Sequence, residues 1–148
     1  MNFDPNPEHE AIRDSVRSLM ADFPDSYWLD KDQQHAYPTE FFDAFAAAGF
    51  LGVAIPEAYG GSGLGIAEAG LVLHEVCASG AGLNGASAVH LSMFGINPVI
   101  KHGSEEMRRK YVPDVVSGKL NVCFGVTEPD AGTDTTRITT RAVRKGDK

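Results

Sequence analysis

The longest stretch of the chain without an aspartate, glutamate, lysine or arginine covers residues 76–100. Its 25 residues are enough to cross a bilayer as a helix, so a membrane span is the first possibility to test. Four glycines, three serines, two asparagines, a histidine and a proline make the stretch too polar and too broken for contact with lipid. Its composition favours a helix buried inside protein, and we expect no membrane insertion.

Two helices are predicted before this stretch. Asn6 is a candidate N-cap, Pro7 stands at the first helical position, and apolar residues follow at helical spacing, which predicts an amphipathic helix ending near Pro24. A polar and aromatic connector comes next. Residues 38–48 then predict a shorter helix that Gly49 ends.

Further helices are predicted in the middle of the chain. One begins near Ile66, breaks at the glycines of residues 80–82, and is followed by another over residues 83–97. Ser104 is the candidate N-cap of a last helix, which Pro113 should kink or divide.

At Asn121 the apolar spacing changes from a helical period to a period of two. Residues 122–127 alternate, and residues 136–142 alternate again, which predicts two β-strands. The fold is therefore expected to be mainly α, with a helical domain over residues 1–118 and the first strands of a second domain over 119–148. The last strand has no returning neighbour, which suggests a longer polypeptide cut inside its second domain; a naturally short protein is the alternative.

Charge and metal-binding residue types exclude several classes of function. The net charge is −7, so the chain is a poor candidate for binding nucleic acid. Bases nevertheless outnumber acids after Glu75, which leaves room for a small phosphorylated ligand near the C-terminal portion. Cys77 and Cys123 form no C-x-x-C pair, and the five histidines show no metal-binding spacing. We expect no metal and, without a secretory signal, a cytoplasmic location.

The run of residues 124–133 is the strongest candidate for a ligand site. A strand would deliver Thr127 to a rigid proline turn, Gly132 would allow close approach of the backbone, and Thr133 could present a hydroxyl and an amide together. Such a turn could hold the edge of an anionic or ring-shaped cofactor. An ordinary turn between two strands is the alternative that these residue types leave open.

Two other features invite a functional interpretation that their spacing does not support. The glycines of residues 60–65 match neither a dinucleotide fingerprint nor a phosphate-binding loop, so we interpret them as a loop between helices. His74 and His90 lie in predicted helices, where histidines of the core or of an interface are commoner than catalytic ones.

The run Phe124-Gly-Val-Thr-Glu-Pro-Asp-Ala-Gly-Thr133 resembles the flavin signature of the acyl-CoA dehydrogenase family, in which Ser usually stands where this chain has Thr133. Other landmarks of that family occur in order: residues 51–61, the helix with Leu73-His-Glu75, residues 103–106, and Tyr111-Val-Pro113. The resemblance spans nearly the whole chain. It implies the N-terminal helical domain of that family, followed by the beginning of a β-barrel-like middle domain.

The resemblance also implies a cofactor and a substrate. FAD would be bound by Phe124, Val126, Thr127, Gly132 and Thr133. The helix of residues 83–97 would form the floor of an acyl pocket, where the substrate-binding residues would be Ser92, Met93 and Phe94, with Thr133 near the thioester. Core packing is the simpler alternative for any single residue of that helix.

Family members oxidise acyl-CoA thioesters to trans-2-enoyl-CoA, pass electrons from FAD to an electron-transfer flavoprotein, and form homo-oligomers, commonly tetramers. The resemblance places the catalytic base in a C-terminal domain, so no catalytic residue is assigned here, and the chain alone is expected to bind FAD weakly and to be inactive. The alternatives are an acyl-CoA oxidase, a related flavin monooxygenase, or a non-catalytic helical interaction module. Asp130 is expected to point to solvent, and Glu128 to have a local structural role.

Overall fold

A computed structural model describes residues 6–146. The α-helices that it contains are α1 (Pro7–Met20), α2 (Asp25–Gln33), α3 (Thr39–Ala47), α4 (Ile66–Val76), α5 (Gly82–Phe94), α6 (Asn97–His102) and α7 (Glu105–Val116). Short 3-10 turns occur at Phe50–Gly52, Glu57–Tyr59 and Thr135–Arg137, and a π-helical turn covers Cys77–Ala81. The prediction of a mainly helical fold is confirmed.

The predicted start of α1 is confirmed, but the segment after it is more ordered than predicted. The side chain of Asn6 accepts a hydrogen bond from the backbone N–H of Glu8 at 2.9 Å. The helix ends at Met20. The predicted connector contains α2, whose N-cap residue, Pro24, has an extended backbone conformation. This helix escaped prediction because it lacks an apolar stripe and buries Trp28 alone.

An aromatic cluster forms the centre of the main core. Phe41 and Phe45 are fully buried, and the Trp28 ring meets that of Phe41 edge-on, with centroids 5.1 Å apart. The indole Nε1 of Trp28 donates a hydrogen bond to the carbonyl of Phe23 at 2.9 Å, so its one polar atom is satisfied inside the core. Each such side chain stabilises the fold by about 1.5–3 kcal/mol through burial.

A buried ion pair fastens α1 to α4. The carboxylate of Glu75, which is 5% exposed, accepts hydrogen bonds from Arg13 and from Arg17 Nε, the latter at 2.8 Å. Burial of Glu75 by itself would raise its pKa, but the hydrogen bonds from Arg17 and Arg13 outweigh that effect and hold the pKa below its usual value. The carboxylate therefore stays ionised at neutral pH and holds the two helices together.

The long apolar run of the sequence is interrupted in the middle. By length and composition alone, the helical run Ile66–His102 could cross a membrane. However, Gly80 has a φ of 100° inside the π-helical turn, and Gly82 has a φ of 54°. These left-handed residues separate α4 from α5, and Glu75 places a charged pair near the end of α4. The break and the ion pair do not suit a single membrane-spanning helix, and each of the two helices buries only part of its surface in the protein.

The last helix follows its predicted cap but is not divided. The hydroxyl of Ser104 accepts a hydrogen bond from the N–H of Met107 at 3.2 Å, as predicted. The helix continues through Pro113 to Val116. Since Pro113 lies in the last turn, the chain loses one intrahelical hydrogen bond there without a break.

The two predicted β-strands are not formed. Within residues 6–146 no strand is present, and the segment after Gly118 is irregular apart from the 3-10 turn and an isolated bridge between Glu128 and Ala131. Alternation of apolar residues specifies which side of a strand is buried, but a strand also needs a neighbour for its backbone groups. Residues 122–127 and 136–142 do not act as neighbours for each other. The division into domains at residues 118 and 119 stays a prediction.

Candidate functional site

A cavity of about 370 Å³ lies between α4, α5, α6 and the loop that precedes α4. Its walls are mostly apolar, with His90 and Asn97 as the side chains that can form hydrogen bonds: Ala54, Ile55, Leu64, Ile66, Ala69, Gly70, Leu73, His90, Met93, Phe94, Asn97 and Ile100. Such a cavity suits an apolar chain rather than a charged or sugar-like ligand.

The glycine-rich loop forms one wall of the cavity because it folds tightly against the preceding turn. The N–H groups of Gly63 and Leu64 donate to the carbonyls of Ile55 and Val53 at 2.8 and 3.0 Å. A side chain at Gly61 would meet the carbonyl oxygen of Ile55, so only glycine fits there. The prediction of a loop between helices is confirmed.

Three aromatic rings in contact connect the cavity to the C-terminal segment, residues 119–146. The His90 ring stacks on Phe94 with centroids 5.3 Å apart, and Phe94 meets Phe124 edge-on at 5.5 Å. His90 Nδ1 lies 3.2 Å from the carbonyl oxygen of Ala86 on the same helix. Phe124 is the first residue of the run singled out in the sequence, so the cavity and this run share a border.

The turn of that run is closed by a carboxylate. Glu128 accepts hydrogen bonds from the N–H of Thr139 at 2.9 Å, the N–H of Thr140 at 2.7 Å, and the hydroxyl of Thr139 at 3.0 Å. The backbone N–H of Thr139 is the main cause that lowers the pKa of Glu128 to about 2, and the contacts with Thr140 add to it. The structural role predicted for Glu128 is confirmed, and Asp130 is exposed as expected.

A more open hollow of about 540 Å³ lies between α1 and the end of α4. Arg13, Arg17 and Glu75 line it, and they bind one another as described above. Its charged groups are therefore mutually satisfied, which makes the apolar cavity the better candidate site. In the part of the chain that the structure describes, no three histidine, cysteine or acidic side chains gather as a metal site would require.

Comparison with known proteins identifies the family of this fold. The family description "Acyl-CoA dehydrogenase, N-terminal domain" matches residues 6–119. The chain belongs to the acyl-CoA dehydrogenase family. Acyl-CoA dehydrogenase FadE12 of Mycobacterium tuberculosis is 36% identical over 147 residues, which cover 98% of this chain and 37% of FadE12. The chain thus spans little more than a third of the length of such relatives.

Two solved structures of similar fold carry a bound ligand in their descriptions. Glutaryl-coenzyme A dehydrogenase in its glutaryl-CoA complex is 29% identical, with a TM-score of 0.79 over 93% of this chain and 35% of its own. The structure of PigA with FAD and proline is 26% identical, with a TM-score of 0.82 over 91% of this chain and 36% of its own. Both comparisons thus span most of this chain and little more than a third of the other protein.

In this acyl-CoA dehydrogenase domain, the residues predicted to bind substrate face different places. Met93 and Phe94 line the apolar cavity. Ser92 is buried and lines a separate cavity of about 130 Å³, together with Tyr37 and Val122. Thr133 is exposed in the C-terminal segment. The structure brings two of the four predicted residues to one cavity.

The residues predicted to bind the cofactor lie along one irregular segment. Phe124, Thr127, Gly132 and Thr133 are exposed, and Val126 is half-buried. Apart from its two chain neighbours, no atom of residues 6–146 lies within 4 Å of the position that a Cβ would take at Gly132, so this side of its backbone is open. These exposed hydroxyls and amides fit the polar edge of a flavin, as the donors of such a site must be free.

His90 was not selected as a site residue from the sequence. Its position on α5 is one turn before Phe94, and Met93 and Asn97 are neighbours on the same side of the helical run. The spacing of three and four residues among 90, 93, 94 and 97 is the signal that could have grouped them.

Proposed function

We propose that this chain supplies the N-terminal helical domain of an FAD-dependent acyl-CoA dehydrogenase, an enzyme that oxidises acyl-CoA thioesters to trans-2-enoyl-CoA. The observation that carries the proposal is the border between the apolar cavity and residues 124–133, here called the flavin-signature segment. The contact of Phe94 with Phe124 forms this border. An acyl chain in the cavity would have its thioester end beside the residues proposed to hold the cofactor. One protein of similar fold is described with glutaryl-CoA and another with FAD, which supports an acyl-CoA substrate and a flavin cofactor.

The residues of this chain would bind and orient rather than transfer protons. The cavity walls would exclude water from the acyl chain, with Phe94 and Phe124 at the border. Thr127 and Thr133 would donate hydrogen bonds, and the amide of Gly132 would approach the cofactor phosphates. FAD, when bound, supplies the acceptor for the hydride that leaves the β-carbon.

Within residues 6–146 no acidic side chain lines the cavity, and two carboxylates elsewhere in the chain are not suited to remove the α-proton. Glu75 is bound by two arginines, and the pKa of Glu128 is lowered to about 2 by the N–H of Thr139 and its neighbour. A general base works best with a pKa close to the operating pH. We therefore propose that the base comes from outside these 148 residues, and that the chain by itself is inactive and binds FAD weakly.

An electron-transfer flavoprotein as acceptor, a homo-oligomeric assembly and a cytoplasmic location in fatty acid oxidation complete the proposal, and they rest on family membership. The test uses the complete gene product that contains these residues. We expect stoichiometric FAD and acyl-CoA-dependent reduction of a dye or of electron-transfer flavoprotein. Oxygen consumption matching substrate turnover would instead indicate an oxidase or monooxygenase.

Thr133 provides a matched pair of variants. Thr133→Val removes the hydroxyl at nearly constant volume and should lower FAD affinity, whereas Thr133→Ser keeps the hydroxyl and should not. A gene product that binds neither FAD nor any acyl-CoA would overturn the proposal and favour a non-catalytic helical module.

A further inference from the structure

His90 is the feature of the apolar cavity that an unsubstituted hydrocarbon chain would leave unused. The ring lines the cavity among Ile55, Ala69, Leu73 and Met93. It is half-buried, whereas Asn97, the other hydrogen-bonding side chain of the wall, is exposed to solvent. A polar group in apolar surroundings costs free energy unless it finds a partner, so a role for His90 in ligand binding is worth pursuing.

The hydrogen bond to Ala86 defines what the other ring nitrogen can do. A carbonyl oxygen only accepts, so the contact of 3.2 Å places a proton on Nδ1. In the neutral ring this leaves Nε2 with a lone pair, and Nε2 has no hydrogen-bond partner within residues 6–146. The ring is held by its stacking on Phe94 as well. His90, one of the residues that line the cavity, therefore carries an acceptor nitrogen that these two contacts leave free.

The position of His90 along α5 gives the depth of that acceptor. Phe94 borders the segment that carries Phe124, and His90 lies four residues further from that border, about 6 Å along the helix axis. An acyl chain that enters beside Phe124 would pass Phe94 before it reaches His90. The acceptor thus meets the part of the chain that is remote from the thioester.

We infer that the cavity is selective for acyl-CoA thioesters that carry a hydroxyl group at the far end of the acyl chain, and that Nε2 of His90 accepts the hydrogen bond from this hydroxyl. The inference rests on the proposed function, since it takes the cavity to be the acyl site. It names a substrate class that the apolar walls alone would disfavour, because burying a hydroxyl without a hydrogen-bond partner is unfavourable.

The test compares each ω-hydroxyacyl-CoA with the unsubstituted acyl-CoA of equal length, by titration calorimetry on the complete gene product. Occupancy of the cavity is followed independently through the methyl NMR signal of Met93. The measured quantity is the affinity of the hydroxylated ligand divided by that of the unsubstituted acyl-CoA of equal length. At the best-fitting length, we expect this ratio to be roughly tenfold larger in the wild type than in His90→Phe. That variant keeps an aromatic ring against Phe94 and removes both nitrogens.

Two further variants separate the acceptor from the fold. His90→Gln retains an acceptor oxygen and should keep part of the preference. His102→Phe makes the same replacement at an exposed histidine outside the cavity and should keep all of it. If His90→Phe does not fold, His90→Gln and the wild-type preference still decide the matter.

The possible failures differ in their signature. If acyl-CoA ligands shift the Met93 signal but the wild type shows no preference for the hydroxyl, the role of His90 is wrong and the acyl site stands. If no acyl-CoA of any length shifts that signal, the cavity is not the acyl site, and both the inference and the proposed function are overturned.

Discussion

Phe94 at the end of α5 and Phe124 in the flavin-signature segment meet edge to face, with ring planes at 69° and centroids 5.5 Å apart. The contact joins a helix of the cavity to a segment without regular structure of its own. Pairs of this geometry contribute about 0.5–1.5 kcal/mol beyond the burial of their surface. The relative position of cavity and segment therefore depends in part on two side chains.

A double-mutant cycle should detect this contact. We expect Phe94→Ala and Phe124→Ala to show a coupling free energy of about 0.5–1 kcal/mol in urea unfolding. Leu83→Ala, on the exposed side of the same helix, should show no coupling with Phe124→Ala. Additive effects of the two phenylalanine variants would contradict the contact.

Glu75→Gln should lower the free energy of unfolding by about 1–3 kcal/mol, because it leaves Arg13 and Arg17 without their buried anion. Asp14→Asn is the matched control: Asp14 also pairs with Arg17, but on the exposed surface, and its loss should have little effect. Urea unfolding of the two variants gives the comparison. Equal effects would mean that the buried pair does not hold α1 to α4.

The turn closed by Glu128 should loosen in acid. Its folded pKa of about 2, set first by the N–H of Thr139, lies below the ordinary value of about 4.3 in an unfolded chain. The closure is therefore fully present above that ordinary value and is lost as the pH falls towards 2. Carboxyl NMR titration should give a midpoint near 2, and Thr139→Ala, which removes the 3.0 Å hydroxyl contact, should raise it. An unchanged midpoint would rule out that contribution.

Two glycines near the cavity should respond in opposite directions to alanine. At Gly61 the new Cβ would lie 2.0 Å from the carbonyl oxygen of Ile55, so Gly61→Ala should destabilise the fold by about 1–3 kcal/mol. At Gly70, inside α4, the Cβ would meet no atom of the described residues within 4 Å beyond the adjacent backbone of its own helix, and Gly70→Ala should stabilise the fold by about 0.5–1 kcal/mol. Thermal unfolding measures both. A tolerated alanine at position 61 would contradict the described packing of the loop.

The sequence predicted those helices that have a local signal such as an N-cap residue. Asn6 and Ser104 cap α1 and α7 as expected, because capping depends on a few adjacent residues. The helix α2 has neither an apolar stripe nor a side-chain cap. Its conformation depends on the packing of Trp28 in the core. The strands predicted for 122–127 and 136–142 depend on neighbours that the spacing of apolar residues cannot specify.

The candidate site, like the fold, was predictable only in part from the sequence. The uncharged helix predicted Met93 and Phe94 as site residues, and both line the cavity. Periodicity alone did not separate them from Ser92, which lines a different cavity. His90 was treated as a core or interface residue because a helical histidine usually is one. Its place in the cavity depends on how α5 is rotated against α4, which the glycine break at residues 80–82 controls.

The closure of residues 128–140 by one carboxylate has a consequence for how this segment would meet the ligand proposed for it. A segment that is bent before binding loses less conformational entropy when a partner docks on it, and so more of the contact energy appears as affinity. Glu128 thus acts as an internal brace that prepares the turn in advance. Recognition at this turn would begin from a shape that is already formed, even though the segment has no regular secondary structure around the turn.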